Sequence, residues 1–172
     1  MKLAWLMMVA LTAMGIGEQV NAAAAITISS PSFAAGKPMP GKHSLNGGNL
    51  SPELRIENIP GGARGLVLIV DDPDAPAGLW THWLVWNLPA SMTKITEGAL
   101  PSGAVEGKNS FGHVGYDGPA PPSGTHRYFF HIYALDEPLS LPPGSERSQL
   151  LGAMSGHILG SGQFFGIYSA GQ

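Results

Sequence analysis

Cysteine is absent from the 172 residues of this chain, so neither a disulfide framework nor a lipid-modified cysteine can hold or anchor it. Charge is scarce as well. Only 12% of residues are Asp, Glu, Lys or Arg and the formal net charge is -3, which offers no general attraction to phosphate polymers and argues against a nucleic-acid partner. No G-x-S-x-G nucleophile elbow occurs, which removes the usual serine-hydrolase signature. The segment Gly103-Ala104-Val105-Glu106-Gly107-Lys108-Asn109 is one residue short of P-loop spacing and ends in Asn where Ser or Thr should hold magnesium, so it reads as a turn. Against these absences stand 44% apolar residues, the level of a globular chain, enough for one domain with a single core.

The N-terminus carries one cation, Lys2, and then an apolar run from Leu3 to Ile16. That run has the roughly 7 to 15 residues of a secretory core and falls short of the about 20 needed to span a bilayer. Small residues in Val20-Asn21-Ala22-Ala23-Ala24 suit cleavage after Ala22 or Ala24. Residues 1–22 are therefore expected to be a removed export signal and residues 23–172 the mature domain, periplasmic or secreted.

Within that domain 24 glycines and 15 prolines are spread along the whole chain, as in a fold of short strands joined by structured loops, and no internal repeat is visible. Strands are predicted at Ala25–Ser29, Glu53–Glu57, Gly65–Val70, Thr81–Leu88, Arg127–Leu135 and Phe164–Tyr168, from their β-branched and aromatic content. One helix is predicted late, with Ser145 as N-cap, an apolar face of Leu150, Leu151, Met154 and Ile158, and an end at Gly160. The fold class is mainly β with a small α component.

Two segments carry the chemistry. The first is Val70-Asp71-Asp72-Pro73-Asp74-Ala75-Pro76, followed by His82-Trp83; the second runs from Gly115 through Asp117-Gly118-Pro119-Ala120-Pro121-Pro122 to His126-Arg127-Tyr128. Carboxylates on a proline-stiffened loop, and histidines entering apolar strands, are costly to bury without polar partners. A period of two places Trp80, His82, Leu84 and Trp86 on one face of their strand, and His126, Tyr128, Phe130 and Ile132 on one face of theirs. If the two strand entrances are neighbours, His82 and His126 converge on one hollow. Asp72 beside two imidazoles would favour their protonated form, at pKa values near or above the ordinary value of about 6.5, and Tyr128 would add a hydroxyl donor. Gly118 would let main-chain N–H groups approach a ligand. The expected ligand is a small oxyanion or the phosphate head of a larger molecule.

In this order the two segments resemble the signatures of the phosphatidylethanolamine-binding protein family, also called the Raf-kinase-inhibitor-like family, in its bacterial branch. The weaker elements Asn49-Leu50-Ser51-Pro52-Glu53-Leu54 and Gly156-His157-Ile158-Leu159 extend the resemblance over roughly Phe33 to Tyr168. It implies an antiparallel β-sandwich with a few peripheral helices and an anion pocket lined at the positions of Asp72, His82, Gly118, His126 and Tyr128. It further implies a phosphate or phosphoethanolamine-like ligand, no metal or other cofactor, a protein partner such as a protease, and pairing as a homodimer in some relatives. The favoured function is an exported small-anion binding protein. The alternative is a phosphoester hydrolase or transferase using the same Asp and His residues.

Lesser roles fall to the remaining polar residues. Asp74 and Arg127 are expected to brace the two segments, His113 and Tyr116 to shape the entrance, His43 and His131 to be surface or core residues, and His157 to cover the pocket side. A facial metal triad of two histidines and an aspartate is the chief rival chemistry, but the helical His spacing of zinc hydrolases is missing.

Overall fold

Short runs of β-branched and aromatic residues form nine strands among residues 23–172, the part of the chain that the computed structural model describes. The export signal read in residues 1–22 lies outside the described residues. In chain order the strands are β1 (Ala24–Ala25), β2 (Thr27–Ser29), β3 (Leu54–Glu57), β4 (Gly65–Asp72), β5 (Trp80–Leu88), β6 (Lys94–Ile95), β7 (Val105–Glu106), β8 (Thr125–Leu135) and β9 (Ile158–Ser169). One α-helix, α1 (Arg147–Met154), precedes β9, and a single 3-10 turn covers Gly41–His43.

The strands make a six-stranded sheet in the order β1-β9-β8-β4-β5-β7 and a three-stranded sheet in the order β2-β3-β6. Every ladder but one is antiparallel; β1 runs parallel to the start of β9. Leu66, Leu68, Val70, Trp83, Val85, Tyr128, Phe130 and Ile132 of the large sheet pack on Ile28, Leu54, Ile56 and Ile95 of the small one. This is the expected antiparallel sandwich. The opposite face of the large sheet buries Val67, Ile69, Leu84 and Trp86 beneath Leu150 and Met154 of α1. Strand β4 is thus covered on both faces, which is why Gly65–Val70 reads as an unbroken apolar run and not as an alternation. Its last two residues, Asp71 and Asp72, inherit the two opposite directions.

The end of the chain departs from the sequence reading. Helix α1 spans only eight residues, capped by Glu146, whose side chain and that of Gln149 form a reciprocal capping box. Ser145 does not cap it; its hydroxyl donates to the Pro142 carbonyl at 2.7 Å. Gly156, at φ +87°, turns the chain, and Ile158 begins β9 instead of completing a helical face. Leu151, assigned to that face, is exposed. Gly160 was expected to end the helix, yet Gly160, Gly162 and Gly166 all sit inside β9, where neighbours leave no room for a side chain. A Cβ on Gly162 would stand 1.9 Å from the Ile26 carbonyl oxygen. The eleven register pairs between β8 and β9 supply the hydrogen bonds that hold this glycine-rich strand in place.

Candidate functional site

The first site element comes from a fault in the β4–β5 ladder. Val70 pairs with Trp83 and Asp71 with Thr81, so His82 is an extra residue without a partner on β4. The bulge breaks the period of two expected for β5. Trp83 and Val85 face the sandwich and Leu84 and Trp86 face α1, while His82 turns to the sandwich side and meets the Tyr128 ring edge-on at 5.1 Å. His82, Leu84 and Trp86 therefore do not share a face. On β8 the alternation holds: His126, Tyr128, Phe130 and Ile132 are all buried on one side.

At this end of the sheets Asp72, His82, His126 and Tyr128 line one cavity of about 220 Å³. Its walls are apolar: Ala75, Pro76 and Ala77 from the first loop, Ala120, Pro121 and Pro122 from the second, and the rings of Trp80 and Phe111, 5.4 Å apart. The Asp72 carboxylate accepts from His126 Nδ1 at 2.7 Å and from the Asp74 N–H at 2.8 Å. Asp72 thereby orients the His126 ring and leaves its Nε2 for the cavity. The Tyr128 hydroxyl is buried and makes no hydrogen bond; the Ala120 N–H faces it without reaching hydrogen-bond geometry. Burial, with Asp72 nearby, pushes the Tyr128 phenol well above its ordinary range, so it stays a neutral donor.

His82 is held differently from the sequence expectation. Its Nδ1 donates to the backbone carbonyl of Asp117 at 2.6 Å, and the Asp117 N–H returns a bond to the His82 carbonyl at 3.1 Å. Burial lowers the His82 pKa below the ordinary value, a shift that this hydrogen bond and the charges of Asp72, Asp71 and Asp117 do not offset. An imidazole at or above its usual value was expected from adjacent carboxylates; desolvation of a ring that is 3% exposed overrides them.

Asp117 is a structural centre that sequence reasoning quoted within its motif without giving it a role. Its buried carboxylate accepts from Asn49 Nδ2 at 3.2 Å, Asn109 Nδ2 at 2.9 Å and His113 Nδ1 at 2.7 Å. Three donors fix the loop whose main chain fixes His82. Phe111 was also missed, because a single aromatic in a Gly-rich turn carries no periodic signal.

Gly118 does not line the cavity. Its N–H donates to Asn49 Oδ1 at 2.8 Å, and a Cβ would stand 1.9 Å from the His43 carbonyl oxygen. The residue is small so that the 41–44 turn can close on this loop, and its amide is occupied within the fold. The Asp74–Arg127 brace is present, with Arg127 Nε and Nη2 donating at 2.8 and 2.7 Å. Tyr116 donates to the His43 carbonyl and His113 is exposed, and neither lines the cavity. His157 pairs with Asp136 near the Leu135–Ile158 register, the far end of β8 and β9 from His126, and does not cover the cavity. His43 is fully buried and His131 is partly buried, stacked on Phe129. Among the described residues no three His, Asp or Glu side chains converge in a way that would hold a metal ion.

Residues 29–169 match the family model described as phosphatidylethanolamine-binding protein. A UPF0098 protein of Methanothermobacter thermautotrophicus is 47% identical over 138 residues, covering 77% of this chain and 91% of that one. Among solved structures, a phosphatidylethanolamine-binding protein homolog from Chlamydia trachomatis superposes with a TM-score of 0.81 at 43% identity, covering 84% of this chain and 97% of the other. Escherichia coli YbcL, described as a member of the mammalian family, does so with a TM-score of 0.79 at 29% identity, covering 84% and 98%.

Proposed function

The chain belongs to the phosphatidylethanolamine-binding protein family, and from that premise we propose that it is a binding protein whose cavity holds a small oxyanion or phosphate headgroup. The observation that carries this reading is the Tyr128 hydroxyl, a buried donor without a partner, in a cavity shared with two oriented imidazoles. An unpaired buried hydroxyl costs about 1–3 kcal/mol, which a ligand oxygen would recover. The apolar walls lower the local dielectric and strengthen each polar contact made inside them. Calorimetric titration of inorganic phosphate and phosphoethanolamine into wild type and His126→Ala tests the proposal. Binding by wild type that weakens in the variant is expected; equal or absent heats in both would remove the reading.

A second reading rests on the 2.7 Å contact between Asp72 and His126, the arrangement of an orienting carboxylate behind a general base. On that reading the cavity hydrolyses or transfers a phosphate ester. A panel of phosphomonoesters decides: turnover lost on Asp72→Asn favours catalysis, and an inert wild type favours binding alone. Export completes the proposal, with residues 1–22 as the signal. Finding the full-length N-terminus on protein recovered from the producing cell would contradict it.

A further inference from the structure

His82 enters the cavity with its one donor already used. Nδ1–H is held 2.6 Å from the Asp117 carbonyl, an atom that can only accept, so the ring leaves a lone pair at Nε2 for whatever occupies the space. The ring is clamped between the edges of Phe111 and Tyr128, with centroids 5.4 and 5.1 Å away. Turning it over would leave the Asp117 carbonyl without its donor.

Converting Nε2 to a donor requires a second proton on a ring that is almost fully buried. The titratable groups around it are Asp72 from β4, His126 and Tyr128 from β8, and Asp117 from the loop before β8, with the charge of Asp71 acting from the other side of the sheet. The carboxylates favour that proton, but each is already occupied: Asp71 by Thr81 and Arg147, Asp72 by His126 and the Asp74 amide, Asp117 by Asn49, Asn109 and His113. Desolvation outweighs them. Tyr128, by contrast, offers a donor with no partner. A ligand that satisfies both groups has an anionic oxygen for Tyr128 and an O–H for His82.

We infer that the cavity selects oxyanions that still carry a proton, with phosphomonoester monoanions as the ligand class, and discriminates against sulfate and phosphodiesters. The inference rests on the anion-site reading and narrows it. Sulfate matches phosphate in size but has no proton at neutral pH, so His82 would face it with a lone pair. A diester, including any diester lipid headgroup, lacks the proton for the same reason. A monoester has its second pKa near about 6, so at about pH 7.5 it binds with uptake of about one proton.

Calorimetry on the mature protein at about pH 7.5, in two buffers of different ionisation enthalpy, tests this with phosphoethanolamine, glycerophosphoethanolamine and sulfate. Phosphoethanolamine is expected to bind at least about tenfold more tightly than either of the others, the cost of leaving a buried acceptor unpaired, and to take up about one proton. Sulfate or the diester within about twofold of phosphoethanolamine, or phosphoethanolamine bound without proton uptake, would overturn the selectivity while leaving an anion site in place. No heat with any of the three would remove the anion site as well. His82→Gln, which places an amide donor near the Nε2 position, is expected to raise sulfate affinity and abolish proton uptake. If that variant does not fold, the wild-type buffer dependence decides alone.

Discussion

Asp71 and Asp72 are consecutive residues of one strand, 2% and 3% exposed, and they face opposite sides of the same sheet. On the α1 side Asp71 accepts from Thr81 Oγ1 at 2.8 Å and from Arg147 Nη2 at 3.0 Å. On the sandwich side Asp72 orients His126, but the Tyr128 hydroxyl beside them has no partner and an apolar-walled cavity opens in front. A buried carboxylate is therefore not in itself the mark of a site. The α1 face has an unbonded donor too, Trp86 Nε1, and a hollow beside Asp71, so what distinguishes Asp72 is that an unbonded hydroxyl and two imidazoles share one apolar-walled cavity with it.

The largest expected effect is on the α1 side. Asp71→Ala leaves Thr81 and Arg147 without their acceptor and should cost about 3 kcal/mol in denaturant unfolding, while phosphate affinity of the folded fraction stays at the wild-type value. Lost phosphate binding with unchanged stability would erase the distinction between the faces. On the sandwich side Tyr128→Phe should do the reverse. Removing a hydroxyl that has no bond should leave stability unchanged or raise it by up to about 1 kcal/mol, and phosphate should bind about fivefold to tenfold more weakly. A destabilised Tyr128→Phe protein would show that the hydroxyl has a structural partner.

The contrast between the faces also marks what could be read from the residues beforehand. That Asp72, His82, His126 and Tyr128 would meet at one cavity was legible because each lies near a strand end beside a rigid loop, and the family signatures put the two loops in one order. The phase of β5 was not, because a bulge is a defect of pairing and His82 becomes the odd residue only when β4 lies beside it. Gly118 was right as a position of close approach but mistaken as to what approaches: the 41–44 turn and not a ligand. The late helix was overextended because apolar spacing from Leu150 to Ile158 satisfies a helical period, whereas the long β8 ladder claims Ile158 for β9. The lowered pKa of His82 depends on burial, which composition does not disclose.

Three histidines extend the comparison to pH. His82 faces the cavity, His131 the opposite side near Asp71, and His43 lies in the core, and burial holds all three below the ordinary value. Since the unfolded chain binds protons at about 6.5 while these native rings resist them, stability should fall as pH drops below that value and level off at the folded values. Urea midpoints near pH 7 and pH 5 measure the slope. His82→Gln and His131→Gln should each flatten it in part, and only the former should alter anion selectivity. A slope unchanged by both substitutions would place the acid sensitivity elsewhere.

The smallest effect belongs to the rim where the two loops are tied. Arg127 donates to both oxygens of Asp74, and these bonds, more than any other influence, hold the Asp74 carboxyl at about 2, below its ordinary value. A depressed folded pKa means that the pair contributes above the unfolded value of about 3.9 and is lost as pH falls through about 2. The Arg127 side chain is half exposed and that of Asp74 partly so, and water and salt screen much of the attraction. Asp74→Asn keeps an acceptor for the Arg127 N–H and removes only the charge. Its unfolding midpoint at neutral pH should lie barely below that of wild type, and the two should merge in acid. A deficit comparable to that of Asp71→Ala would mean that the exposed tie, and not the satisfied interior pair, holds this end of the sheet together.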